Sequence, residues 1–322
     1  MNLSSTTTFT SLGNYACKAI EKNLHKTLKW ENSVKKHKDP EALHQMRVGM
    51  RRLRTSVSGF GSHLDLPKSA SNKNIGKIAK ILGNLRDLDV LKEILENNYQ
   101  PHLLDQEKTY LQIAFSSLSK QRDAAFSRVQ KTLKDEAYKS FKNNLQQWLE
   151  KPRYQPLANL PIQQVLPDLL LPEISKFLLH PGWMIGTEVT ESEVVISTEL
   201  TPEQLEQYLQ HQGEILHSLR KQAKRVRYQM ELFADLYDEA FTVHISQVKI
   251  IQEILGNIQD SMVLNEWLVN IFKSDMNEKL SGLKTLLAVN RYQLWQQWQP
   301  LKAQYLSPEN KHNLHSIIIQ IL

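Results

Sequence analysis

Two stretches of this chain recur at one fixed separation, and that recurrence limits the fold more than any other feature. HQMRVGMRRLRTSVSGF from His44 is answered by HSLRKQAKRVRYQMELF from His217, 173 positions later. IAKILGNLRDLDVLKEIL from Ile78 is answered by IQEILGNIQDSMVLNEWL from Ile251 at the same 173, with Leu-Gly-Asn at 82–84 and at 255–257. Two segments kept in one register predict an internal duplication, in which one helical half is built twice.

The first repeated segment carries two interleaved stripes. Leu43, Met46, Met50, Leu53 and Val57 fall at steps of three and four, the spacing of a buried helix face. His44, Arg47, Arg51 and Arg54 keep the same rhythm one residue later, so a basic column runs beside the apolar one, turned from it by about 100°. The second copy repeats both. Leu216, Leu219, Ala223, Val226, Met230 and Phe233 form the apolar stripe, and His217, Arg220, Lys224 and Arg227 the basic one. A single basic run is most simply a solvated face; the repeat in register argues for a function.

Charge supports that reading. Residues 44–54 hold four of the 40 lysines and arginines, residues 217–228 hold five, and neither stretch holds any of the 34 acids. Without these nine, 31 bases face 34 acids, a net of −3, so the whole excess of +6 lies in two short helical pieces. Excess positive charge concentrated in this way predicts a polyanionic partner.

The pattern H-x-x-R-x-x-x-[RK]-R-x-R, present once in each half and followed each time by an L-G-N-x-x-D helix, resembles the CHAD family, the conserved-histidine α-helical domains. The resemblance covers about Tyr15 to Leu322. It implies an all-α fold of two pseudo-symmetric four-helix bundles, with a basic central groove or channel that binds inorganic polyphosphate. By position it carries binding roles onto His44, Arg47, Arg51, Arg52 and Arg54, and onto His217, Arg220, Lys224, Arg225 and Arg227. The second half departs from the first at Gln259, where the first has Arg86, and at Met262, where it has Asp89. These departures weaken the second basic wall at that level.

Domain organisation follows from the duplication: a first helical half over 11–150, a Pro-rich linker with short helices over 151–202, and a second half over 203–322. Together they form a single domain over 11–322. A first helix is expected from Ser11 to His37, with Tyr15, Ile20, Leu24, Leu28 and Val34 inward. Lys18, Lys22, Lys26 and Lys29 recur along it, and Lys18 and Lys22, with Arg86 and Arg122, are candidate extensions of the basic surface. Ordinary exposed helix surface is the favoured account of these lysines. Asp39 and Pro40 supply an N-cap and a first turn for the motif helix. Ile75–Tyr99 is expected as one helix, as is Asp105 to Ala137, and Gly83 and Gly256, costly in mid-helix, suggest a close helix approach. Asp87 and Asp260 occupy matching positions. Each either holds a motif arginine in one rotamer or makes an ordinary interhelical salt bridge. In the linker, the run from Trp183 to Thr198 is expected to be irregular or briefly extended; its acids Glu188, Glu191, Glu193 and Glu199 resemble no metal loop. A helix is expected from Asn277 to Gln299, Trp295, Trp298 and Tyr305 read as core and interface packing, and Pro308 opens the last helix.

Other chemistry finds little support. Gly59-Phe60-Gly61 lacks the lysine and third glycine of a phosphate loop. No metal set is apparent: Asp87 and Asp89 at i,i+2 do not share a helix face. No cofactor is expected. Cys17 stands alone, so a reducing compartment fits. The N-terminal residues have no signal-peptide pattern, and no stretch reaches 18 consecutive apolar residues, so no membrane partner and a cytoplasmic location are expected, with association to polyphosphate granules as one use of the binding. The expectation is a non-enzymatic binder of inorganic polyphosphate, acting through two basic stripes that face each other. The alternative is a helical scaffold for nucleic acid or an acidic partner protein. It is disfavoured on the nucleic-acid side because no aromatic residues interleave the stripes.

Overall fold

The computed structural model describes residues 10–36, 40–190, 193–196 and 200–321. Asp39, expected as an N-cap, lies outside them, as do Glu191, Glu199 and the side chain of Glu193. The described residues form twelve α-helices and one two-stranded antiparallel hairpin. In chain order the elements are α1 (Leu12–Leu28), α2 (Glu31–Lys36), α3 (Pro40–Phe60), α4 (Asn72–Ile94), α5 (Asp105–Lys134), α6 (Glu136–Glu150) and α7 (Ile162–Leu178). After these come β1 (Thr187–Thr190), β2 (Glu193–Ile196), α8 (Pro202–Leu232), α9 (Glu239–Phe272), α10 (Met276–Lys279), α11 (Ser281–Leu306) and α12 (Pro308–Ile319). The all-α class that the resemblance implies holds, and among the described residues no helix is long and apolar enough to cross a membrane. The residues gather into two compact units. One comprises Met1–Asp87 with Arg122–Leu170, the other Leu88–Gln121 with Leu171–Leu322.

In the first unit the apolar stripe of α3 is buried along its length, with Met46, Met50 and Leu53 fully covered. It packs on Ala16, Ile20 and Leu24 of α1, whose N-terminus is capped by Ser11 accepting from the Asn14 amide. The two helices approach closely at Gly49, where a Cβ would stand 2.9 Å from the Thr27 backbone nitrogen. A polar seam beside this point is satisfied internally: Asn23 Nδ2 donates to Ser56 Oγ at 3.0 Å, and Thr27 Oγ1 to the Asn23 carbonyl at 2.8 Å. The single helix expected from Ser11 to His37 is instead α1 and α2, broken at Lys29 and Trp30. The break places Glu31 in a buried position on α2, where its carboxylate accepts from Lys35 and from Lys142 of α6.

In the second unit α8 begins with a capping box. The Gln204 amide donates to Thr201 Oγ1, Gln204 Oε1 accepts from the Thr201 amide at 2.8 Å, and Pro202 occupies the first turn. Leu219, Ala223, Val226 and Met230 are fully buried as the spacing requires. A core is formed by Leu91, Leu95, Leu111, Leu118, Leu264, Leu268, Leu283 and Leu287 with their neighbours. Buried Glu107 of α5 caps α11 there, accepting from the amides of Gly282 at 2.8 Å and Leu283 at 3.2 Å. The chain continues from α4 through a π-helical turn, Leu95–Tyr99, so the helix expected to reach Tyr99 changes its winding at Leu95.

Two segments depart from expectation for one reason, the depth of their burial. The linker, expected to hold short helices, contains α7 as one helix of 17 residues through Pro167 and Pro172, with Leu166, Leu170 and Phe177 fully buried. Helix α11 runs past Gln299 and Pro300 to Leu306, because Trp298, Lys302 and Tyr305 all face inward. Trp183 lies stacked against Trp298 and Tyr305 at 5.0 and 5.3 Å between ring centroids. Lys302, fully buried beside them, donates to the carbonyls of Ile185 at 2.8 Å and Gly186 at 3.3 Å. Gly186 has φ +66°, a turn that leads into the β1–β2 hairpin.

Candidate functional site

Each basic column stands on its motif helix where the buried stripe aims it, and each is braced by the helix that follows in sequence. In the first unit Arg47 Nη2 donates to Asp87 Oδ1 of α4 at 3.1 Å. In the second, Arg220 Nη2 donates to Asp260 Oδ1 of α9 at 3.5 Å. The matching glycines lie under the same arginines. A Cβ on Gly83 would stand 3.6 Å from Arg47 Nε, and one on Gly256 would stand 3.2 Å from Arg220 Nε. The close approach suggested by these glycines is therefore an arginine side chain crossing the neighbouring helix, not a meeting of two backbones. The arrangement fixes one guanidinium per column with a carboxylate on one edge and a bare helix surface beneath it.

His44 and His217 are half-buried, and among the described residues the Nδ1 atom of each is covered and makes no hydrogen bond. Burial is the main cause that holds His44 below the usual imidazole range. Glu41 pulls the other way, while Arg86, Arg47 and Arg51 add to the depression. His217 is depressed in the same manner, by burial first and then by Lys221, Arg220 and Lys224, against Glu214. Both rings are neutral near pH 7 and each has a basic neighbourhood that favours an arriving anion.

Around this shared arrangement the two copies differ. On α3, Arg54 is exposed and its Nε donates to Asn72 Oδ1 at 2.8 Å, with the guanidinium lying over Gly76. Arg227, its counterpart, is mostly covered, 3.6 Å from Glu231 and with its guanidinium 4.5 Å from the Tyr228 ring centroid. Arg51 and Lys224 are both half-buried in mid-column. Arg52 neighbours α1, where Lys26 is held below the ordinary lysine range by burial, by Arg52 and by Lys22. Lys26 thus stands near Arg52, with Lys22 beside it on α1. Lys18 is exposed one turn earlier on α1, and Arg122 is half-buried on α5. Arg225 is turned toward α7, 3.6 Å from Glu173, whose carboxylate also accepts from Lys176 at 2.8 Å and Gln222 at 3.3 Å. Burial works against ionisation of Glu173, but Lys176, Arg225 and Gln222 together hold its carboxyl below the usual range.

Sequence reasoning missed Asn72, Glu173 and the part played by Glu214. Only the last had a signal in the chain: Glu41 and Glu214 also lie 173 apart, each three residues before its histidine. Glu41, in the first turn of α3, serves the helix dipole, but Glu214 in mid-helix has no such role.

A family model for the CHAD domain matches residues 18–269, well over half of the chain. No curated protein matches. Among solved structures, the CHAD domain from the plant Ricinus communis is similar at 20% identity and a TM-score of 0.61, over 98% of this chain and 95% of that one. PptA from Streptomyces chartreusis is similar at 13% identity and a TM-score of 0.62, over 92% of this chain and 99% of that one. With the twice-repeated histidine and arginine columns on helices of this fold, these matches lead to one assignment: the chain belongs to the CHAD domain family.

Proposed function

We propose that this chain binds inorganic polyphosphate through its two basic columns, and that it binds without turning the chain over. The observation that carries the reading is the paired brace: Arg47 on Asp87 beside Gly83, and Arg220 on Asp260 beside Gly256. A long-range field for an acidic partner needs no such aiming of a planar fork, whereas bidentate contact with phosphate does. From His44 to Arg54, and again from His217 to Arg227, a helix rises about 15 Å, which suits a linear run of phosphates. Family membership supports a polyphosphate-related function at the level of the family. Binding in place of catalysis is supported by the setting of His44 and His217, whose neighbours are mainly cations and which are poor general bases in that field. The natural setting for such a binder is the cytoplasm, where polyphosphate granules would recruit it.

The test is a competition titration of purified protein with long-chain polyphosphate against single- and double-stranded DNA and RNA, at low and near-physiological salt. Polyphosphate is expected to win at both, and nucleic acid to be lost at the higher salt. Equal competition by nucleic acid would refute the reading.

A further inference from the structure

The line of His217, Arg220, Lys224 and Arg227 continues backward along α8 through Gly213 and Glu214 to Gln210 and Glu206, at the same helical spacing. These upstream residues line one wall of an open cleft of about 480 Å³ within the second unit. The facing wall is Gln259, Met262 and Glu266 of α9. Both departures of the second repeat from the first therefore lie on this cleft: Gln259 stands where the first repeat has Arg86, and Met262 where it has Asp89. In the first unit Arg86 adds to the positive field at His44. In the second, the corresponding wall presents an uncharged amide. Arg291, which also lines the cleft, is 3% exposed, and Nε and Nη2 each donate to Glu206 at 2.7 Å. Its charge is neutralised where it stands. Glu214 and Glu266 remain as exposed carboxylates on opposite walls.

We propose that Glu214 and Glu266 form an electrostatic stop that ends the phosphate track of α8 at His217. The inference rests on the polyphosphate reading and adds an end point and a direction to it. A phosphate chain lying from Arg227 toward His217 meets cations at each turn. One unit further it meets two carboxylates, a glycine and neutral amides, so every added phosphate raises the energy. The first repeat carries acids at the matching positions, Glu41 and Glu93, but there Arg86 accompanies them where the second has the uncharged Gln259. The two columns should therefore differ in how they respond to chain length.

The test uses the intact protein and calorimetric titration with tripolyphosphate and with long-chain polyphosphate. It compares the wild type, the double variant Glu214→Gln with Glu266→Gln, and a control, Glu278→Gln with Glu309→Gln. The control removes two exposed carboxylates elsewhere in the same unit. The stop predicts that the double variant gains about fivefold in affinity for the long chain at low salt and leaves tripolyphosphate unchanged. Equal gains at both lengths, a gain no larger than the control's, or no gain would each overturn it. Absence of wild-type binding would overturn the polyphosphate reading itself, and the stop with it.

Discussion

Replacing Gly256 by alanine should separate stability from binding. A methyl at this position would stand 3.2 Å from Arg220 Nε and 3.3 Å from Nη2, closer than carbon ordinarily packs. The obstacle is the far end of a flexible side chain, so the guanidinium moves by a few tenths of an ångström and the backbone stays. The Arg220–Asp260 contact, already 3.5 Å long, does not survive that displacement. Alanine for glycine inside a helix contributes about 1 kcal/mol of stability. Loss of one aimed, charge-assisted contact costs binding roughly 1 kcal/mol, about fivefold in affinity. Gly83→Ala is the internal comparison, because a Cβ there is 3.6 Å from Arg47 Nε, an ordinary contact that displaces nothing. Both variants should unfold at higher urea concentration than the wild type, and only Gly256→Ala should bind polyphosphate more weakly in calorimetric titration. Unchanged affinity in Gly256→Ala would refute the argument that this glycine keeps Arg220 aimed.

Arg51→Glu with Lys224→Glu, one residue from each column, should abolish polyphosphate binding while circular dichroism shows wild-type helicity; retained affinity would sink the column reading. Gly49→Ala should destabilise by about 2 kcal/mol in urea unfolding, because its Cβ meets the Thr27 backbone and helices, not side chains, must part. Affinity should rise as pH falls below 6.5, since His44 and His217 are held below that value when free and a bound polyanion raises their pKa, so binding takes up protons. The doubly substituted His44→Gln, His217→Gln protein should show a flatter pH profile in the same titration. Burial lowers the Lys302 pKa from 10.5 to about 8, so the native chain binds fewer protons than the unfolded one between these values. Stability should therefore rise with pH from about 8 until the tyrosines ionise, and Lys302→Met should remove that slope in unfolding curves measured at pH 7.5 to 9.5.

The apolar stripes were legible because helix period and burial are one statement: Leu53 and Val226 are covered for the reason their spacing gave. The brace of Arg47 on Asp87 was half legible. The repeat marked the aspartate and the glycine, but not that they serve the same arginine. Helix α7 was illegible as one element because Pro167 and Pro172 argue locally against it and only the tertiary burial of Leu170 and Phe177 decides otherwise. Lys302 was hidden for a similar reason, since nothing local marks which lysine lies beneath stacked aromatic rings. Nor does periodicity say which helices pack together: residues Leu88–Gln121 belong to the first sequence repeat but gather with Leu171–Leu322.

That last grouping bears on how the chain could be divided. Glu107 of α5 supplies the cap of α11, and a Cβ on Gly282 would stand 2.5 Å from its carboxylate, so a side chain there would displace the cap. Leu111, Ala114 and Leu118 share their core with Leu264 and Leu283. Proteolysis within the β1–β2 hairpin would leave one fragment carrying Leu111, Ala114 and Leu118 uncovered and the other carrying α11 without its cap. The two repeats, although copies of each other, are thus no longer exchangeable parts. The expected outcome is that neither fragment folds alone and that size-exclusion chromatography of the nicked chain recovers both pieces together.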